Sequence, residues 1–141
     1  MRRGRVARIG RRHTHRLRVR YGECDPQGVV FNANYFAYFD IALTELWREA
    51  AGGYAAMMDN GLDLQVVEAT ARYKAPASFD DELDIEIEVT HLGTTSMVTD
   101  LVIRRDGTVL VEGRLAHVFV DTASYKKTPI PDPMRAALGA E

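Results

Sequence analysis

An aspartate held in a Pro-Gly turn just ahead of a long apolar helix has the equipment to attack a carbonyl carbon, and this chain contains one. The stretch Tyr21-Gly22-Glu23-Cys24-Asp25-Pro26-Gln27-Gly28-Val29-Val30-Phe31-Asn32-Ala33-Asn34-Tyr35 sets Asp25 in a turn made by Pro26 and Gly28. Asn32 and Asn34 follow where a helical pattern begins. The first N–H groups of a helix have no partner within it, so they can polarise a carbonyl and hold the charge that develops on its oxygen. A carboxylate beside them either attacks the carbonyl carbon or activates a water molecule. These residues leave both routes open.

The elements that must position this loop can be read from apolar spacing. The run Leu17-Arg18-Val19-Arg20-Tyr21 alternates, which predicts a half-buried strand over 15–21. Tyr35, Phe36, Phe39, Leu43, Leu46, Trp47 and Ala50 recur at helical spacing over 34–51, with Asn32 or Asn34 as the expected N-cap and Gly52-Gly53 as the stop. Such a helix runs about 25 Å, enough to cross a sheet. After a turn around Asp59-Asn60-Gly61 the remainder reads as consecutive antiparallel strands over 64–73, 82–92, 95–105 and 108–121. Asp106-Gly107 gives a hairpin signal, and Met134 to Leu138 reads as a short terminal helix after a Pro-rich segment. One apolar helix and such a strand set predict an α+β domain whose sheet wraps the helix. The helix carries aromatics on more than one side, so self-association is expected.

Composition narrows the function classes. The chain of 141 residues fits one domain over 15–141, preceded by a basic arm over 1–14 that is expected to be disordered. Nine of the eighteen Lys and Arg residues fall within the first twenty positions, where there is no Asp or Glu. That asymmetry raises nucleic acid as a partner, but the arm has no interleaved aromatics and the acidic body opposes a phosphate backbone, so none is expected. Cys24 is the lone cysteine and His13, His15, His91 and His117 lack zinc-ligand spacing, so neither disulfides nor a metal or other cofactor are expected. With no membrane-spanning run and no secretory core, a cytoplasmic protein is expected.

The loop Tyr-Gly-x-Cys-Asp-Pro-x-Gly-Val-Val-Phe-x-x-Asn-Tyr closely resembles the signature of hotdog-fold acyl-CoA thioesterases typified by 4-hydroxybenzoyl-CoA thioesterase. Two further segments share the resemblance: Arg72-Tyr73-Lys74-Ala75-Pro76-Ala77-Ser78-Phe79-Asp80-Asp81-Glu82-Leu83, and Phe119-Val120-Asp121 with Lys127-Thr128-Pro129-Ile130-Pro131. The likeness implies a hotdog fold, hydrolysis of an acyl-CoA thioester, and a homodimer or homotetramer with the substrate at the subunit interface. Asp25 takes the place of the catalytic carboxylate, and the Asn32 N–H that of the group polarising the carbonyl. Gly28, Val29, Phe31, Tyr35, Asp40, Thr94 and Thr95 are implied as substrate-binding, with Asp40 a candidate reader of a polar acyl group. Some relatives place a catalytic His where this chain has Asn32, and the basic run that contacts CoA phosphates in one branch is missing from the turn at Thr94. A non-catalytic acyl-CoA-binding protein and a hotdog dehydratase are the alternatives. The dehydratase ranks low because its proton-moving histidine is absent from the loop.

Overall fold

The computed structural model describes residues 10–139. Five strands form one antiparallel sheet in the order β1-β3-β4-β5-β2, where β1 is Arg12–Arg18, β2 Leu62–Tyr73, β3 Glu82–Leu92, β4 Ser96–Arg105 and β5 Thr108–Asp121. The long helix α1, Asn34–Ala51, lies in the concave face, with α2 (Tyr54–Asp59) and α3 (Asp132–Leu138) beside it. This is the α+β hotdog arrangement. The residues that α1 buries, Tyr35, Tyr38, Phe39, Ala42, Leu43, Leu46 and Trp47, fall on one helical face. They meet Leu83, Ile85, Ile87 and Val89 of β3 and Met97, Leu101 and Ile103 of β4, which alternate inward. Gly113 of β5 lies directly under the Phe39 ring, and a Cβ there would overlap it, so glycine at this position makes room for the ring.

The predicted boundaries of α1, β3 and β5 coincide with the observed ones, and Gly52 ends α1 in the left-handed conformation at φ 78°. Asp106 and Gly107 both have positive φ, as a type I′ hairpin turn requires. Four expectations need correction. The strands after the helix are not all sequential neighbours: β2 pairs with β5 and β3 with β1, so between Tyr73 and Glu82 the chain passes from the β2 edge across the sheet to β3, next to the β1 edge. α2 occupies part of the predicted turn region. The N-cap of α1 is Ala33, with no side-chain cap bond. Apolar surface is left open both on α1, where Phe36 is only partly buried and Ile41 is exposed, and on β2, where Val66 and Val67 are exposed.

The fourth concerns the amino-terminal boundary. β1 begins at Arg12 and ends at Arg18, leaving Tyr21–Glu23 as a turn of 3₁₀ helix. In the register, Arg12 faces Glu88, Arg16 faces Asp84 and Arg18 faces Glu82, with Arg16 bonded to both Glu82 and Asp84 at 2.9 Å. Arg12 of the expected arm, and Arg16 and Arg18 just beyond it, are thus matched to acidic side chains of this same chain. Each exposed pair contributes at most about 1 kcal/mol, so the backbone ladder and the buried Ile85 and Ile87 still dominate this edge. Residues 1–9 of the expected arm lie outside the described residues. Deletion of residues 1–14 is expected to lower the melting temperature by at least about 5 °C relative to deletion of residues 1–9, because only the longer cut removes Arg11, whose N–H and carbonyl bond Leu138 and Val89, and the Arg12 pairing. Thermal denaturation of the two truncations measures this.

Candidate active site

The Asp25 loop folds as a narrow hairpin. The Asp25 N–H donates to the Val29 carbonyl at 2.9 Å, the Gly28 N–H returns to the Asp25 carbonyl at 2.9 Å, and Cys24 bridges Val30. Gly28 sits at φ 82°, a conformation that side chains resist, which accounts for glycine at this turn. The loop is braced by residues 77–81: the Val30 N–H bonds the Ala77 carbonyl at 2.9 Å and the Phe79 N–H bonds that of Gly28 at 3.1 Å. Burial works against the charge on Asp81, but the Ser78 N–H and the Arg105 guanidinium at 2.7 Å outweigh it and hold its carboxyl below the ordinary value. That fixed charge stiffens the brace.

Within the loop, Oδ1 of Asp25 accepts the Gln27 N–H at 2.8 Å. Oδ2 has no hydrogen-bond partner among the described residues and is available for chemistry. The helix then starts with Asn34 N–H bonded to the Phe31 carbonyl and Tyr35 N–H to that of Asn32, while the N–H groups of Asn32 and Ala33 find no acceptor among the described residues. Asn34 does not cap the helix; its Nδ2 donates back to the Glu23 carbonyl at 2.8 Å and ties helix to loop. The Tyr73 hydroxyl donates to the Asn32 carbonyl at 3.1 Å. The Oη of Tyr35 accepts the Ala77 N–H at 3.1 Å, and burial raises its pKa. Burial, then Asp25 and Glu23, also push the Cys24 thiol up, leaving it a poor nucleophile beside the carboxylate.

Asn32 opens into a cleft of about 280 Å³ with Val30, Tyr35, Tyr73, Lys74 and Pro76 in its walls. Asp25, Gly28, Val29, Phe31, Asn32 and Tyr35 lie along one loop and helix junction, with Phe31 half-exposed on it; Asn32 and Tyr35 line the cleft, and Asp25, Gly28, Val29 and Phe31 do not. Asp40 is exposed and lies elsewhere, at a second cavity of about 390 Å³ between α1, α2, β2 and β5. Leu43, Trp47, Leu64 and His117 also line that cavity. Thr94 and Thr95 border neither cavity; their carbonyls bond the N–H groups of Ile130 and Phe119 and hold the carboxy-terminal segment. Among the described residues no group of His, Cys, Asp and Glu could hold a metal ion.

Four contributors escape the sequence reading. Glu23 accepts both the Tyr38 hydroxyl and the Arg20 N–H at 2.8 Å, anchoring the loop's first arm. Tyr73 orients Asn32, and Trp47 and His117 face the second cavity. Of these only His117 had a usable signal: it alternates with Leu115 and Phe119, which places it on the inward face of a strand.

Burial holds the His117 imidazole below its ordinary value of 6.5, opposed by the Asp40 carboxylate, the charged group that faces it. The unfolded chain takes up this proton near 6.5, so below that pH the unfolded state binds more protons and stability falls as pH is lowered. Above it the histidine contributes no pH dependence. The loss of melting temperature between pH 7.5 and pH 5.5 is expected to be smaller in His117→Leu than in the wild type, as measured by thermal denaturation across that range.

Residues 19–138 match the thioesterase-like superfamily. The acyl-CoA thioester hydrolase YbgC of Escherichia coli is 34% identical over 116 residues, spanning 82% of this chain and 87% of that protein. A hypothetical protein from Aquifex aeolicus superposes with a TM-score of 0.85 at 27% identity, covering 89% of this chain and 98% of its own. The gentisyl-coenzyme A thioesterase BH1999 does so with a TM-score of 0.79 at 28% identity, over 89% of this chain and 98% of that one. With the five-stranded sheet wrapped on α1 and the match running over nearly the whole described chain, the protein belongs to the thioesterase-like superfamily, as a hotdog-fold thioester hydrolase.

Proposed function

We propose that this protein hydrolyses an acyl-CoA thioester to a carboxylic acid and CoA, with Asp25 as the reacting carboxylate and the Asn32 N–H polarising the thioester carbonyl. What supports this reading is an Asp25 Oδ2 without a hydrogen-bond partner among the described residues, on the loop that leads into the start of α1, where the Asn32 and Ala33 N–H groups are likewise unbonded among those residues. Asp25 either attacks the carbonyl carbon, forming an acyl-enzyme anhydride that water then cleaves, or takes a proton from the water that attacks. In both routes the C–S bond breaks and the CoA thiolate leaves, to be protonated from water. The negative charge on the carbonyl oxygen meets the Asn32 N–H, and one such donor is worth about 3–4 kcal/mol in the transition state.

Lys74, in the wall of the Asn32 cleft, is the nearest cation for a CoA phosphate; its partner Glu112 is 3.7 Å away and both are substantially exposed, so the phosphate can compete for it. Asp40 then belongs to the acyl pocket. A dehydratase is disfavoured because His117, the histidine nearest either cavity, lines the one that Asn32 does not reach.

The working form is a homodimer paired through β2. Both sheet edges are open in a single chain, but β1 is guarded by Arg12, Arg16 and Arg18, whereas β2 exposes Val66 and Val67 at a register shift. An antiparallel strand is complementary to its own copy about a two-fold axis. No helix among the described residues is long and apolar enough to cross a membrane, and with the single free cysteine we place the protein in the cytoplasm. A panel of acyl-CoA thioesters, followed with a thiol reagent, tests the assignment: release of CoA from at least one member supports it, and inertness toward aliphatic and aromatic thioesters alike removes it.

A further inference from the structure

We propose that Glu23 is a positioning residue for the reaction: with the Tyr38 hydroxyl it fixes the entry of α1 against the loop that carries Asp25, and so sets the reacting carboxylate relative to the Asn32 N–H. The inference deepens the thioesterase reading and rests on it. Glu23 stands two positions before Asp25 and meets the segment 31–38 at three points. Its carbonyl accepts the Phe31 N–H at 3.0 Å and the Asn34 Nδ2 at 2.8 Å, and its Oε1 accepts the Tyr38 hydroxyl at 2.8 Å. Phe31, Asn34 and Tyr38 are three and four positions apart, so they follow one side of the helix entry, with Asn32 between the first two. The Arg20 N–H donates to the same Oε1 at 2.8 Å and closes the first arm of the loop on itself. Among the described residues, every hydrogen bond between residues 20–25 and the segment 31–38 runs through Glu23.

The Tyr38 hydroxyl is the part of this clamp that core packing alone does not require. Tyr38 is 1% exposed, and its ring meets that of Tyr35 edge-on at 5.9 Å, a contact that phenylalanine would keep. A buried hydroxyl costs free energy unless it is bonded, and the acceptor supplied here is the residue next to Cys24 and Asp25. Burial, then the bond to Glu23, push the Tyr38 pKa up, so the phenol stays a donor. Hydroxyl-to-carboxylate bonds are among the shorter and stronger hydrogen bonds in proteins.

Reacting atoms must meet at about 3–3.5 Å, and a misplacement of about 1 Å costs about a hundredfold in rate. Loosening the clamp changes how Asp25 and the Asn32 N–H are aligned on the thioester. It leaves the cleft walls at Tyr73, Lys74 and Pro76, which belong to another segment, where they are. A fall in kcat with little change in KM is therefore the signature.

The test measures kcat and KM for the acyl-CoA that the wild type turns over fastest, beside melting temperature. Tyr38→Phe keeps the ring and leaves Oε1 of Glu23 its Arg20 N–H; it is expected to lower kcat by at least about tenfold, with KM within about twofold and melting temperature down by no more than about 5 °C. Glu23→Gln offers an amide oxygen that accepts the same two bonds, and is expected to keep kcat within about threefold of wild type. Glu23→Ala strands the Tyr38 hydroxyl and is expected to fall at least as far as Tyr38→Phe, with the double variant no slower than the slower single one. Ile87→Val, in the middle of β3, is the control for lost stability alone: melting temperature falls while kcat stays within about twofold. An active wild type whose Tyr38→Phe variant keeps its kcat, or loses no more than the control does, overturns the positioning role and leaves the thioesterase reading standing. Equal losses in Glu23→Gln and Glu23→Ala assign the effect to charge rather than to the clamp, and overturn it as well. A wild type inert toward every thioester removes the thioesterase reading and this role with it.

Discussion

Asp25→Asn is expected to lower kcat for the preferred acyl-CoA by at least about a hundredfold, or about 2.7 kcal/mol in the transition state, while leaving melting temperature close to wild type. The argument is one of isosteric exchange. Asparagine keeps an Oδ1 that accepts the Gln27 N–H, and the backbone bonds that close the turn run through Val29 and Gly28 rather than the side chain. What disappears is the charge and basicity at the second oxygen, which makes no hydrogen bond among the described residues. Removing a carboxylate that faces the electron-rich carbonyl oxygen of the bound thioester also relieves ground-state repulsion, so KM is expected to stay level or fall. A residue that merely shapes a turn would behave in the opposite way, with turnover nearly intact. Steady-state kinetics beside a melting curve on the purified variant decides, and near-normal kcat with an intact fold removes Asp25 from the reaction.

The sequence disclosed local features more fully than distant ones, for a physical reason. α1 from Asn34 to Ala51, the Gly52 stop and the Asp106-Gly107 turn depend on residues a few positions apart, so spacing and turn chemistry suffice to read them. The order of strands depends on which chain segments pair across long separations, and neither β2 against β5 nor β1 against β3 can be inferred from alternation alone. The start of β1 was hidden for the same reason: Arg12 and Arg16 read as a solvated basic arm until Glu88, Glu82 and Asp84 are set opposite them. In the site, Asp25, Gly28, Asn32 and Tyr35 were legible because they lie on one continuous segment. Thr94 and Thr95 entered through family likeness alone, and the fold uses their carbonyls to hold Phe119 and Ile130. His117 and Trp47 become meaningful only when a strand and a helix 70 positions apart enclose one cavity.

Charging the β2 edge with Val66→Lys and Val67→Lys together is expected to convert a dimer to a monomer at micromolar concentration and to reduce kcat/KM by at least about tenfold. In a single chain these two side chains are 58% and 62% exposed, so lysine costs the isolated fold little. Under a two-fold axis through β2, however, each lysine meets its own copy or its neighbour across a few ångströms, where like charges oppose pairing and apolar contact is lost. Activity should follow because the Asn32 cleft and the His117 cavity sit toward opposite ends of the same strand, and pairing brings one of each together. The variant should therefore lose turnover without losing its secondary structure, a combination that a purely structural dimer would not produce. Light scattering with circular dichroism and the CoA-release assay measures all three quantities. A wild type that is monomeric and fully active, or a lysine variant that is monomeric with unchanged kcat/KM, would show that each chain carries a complete site and that β2 has another use.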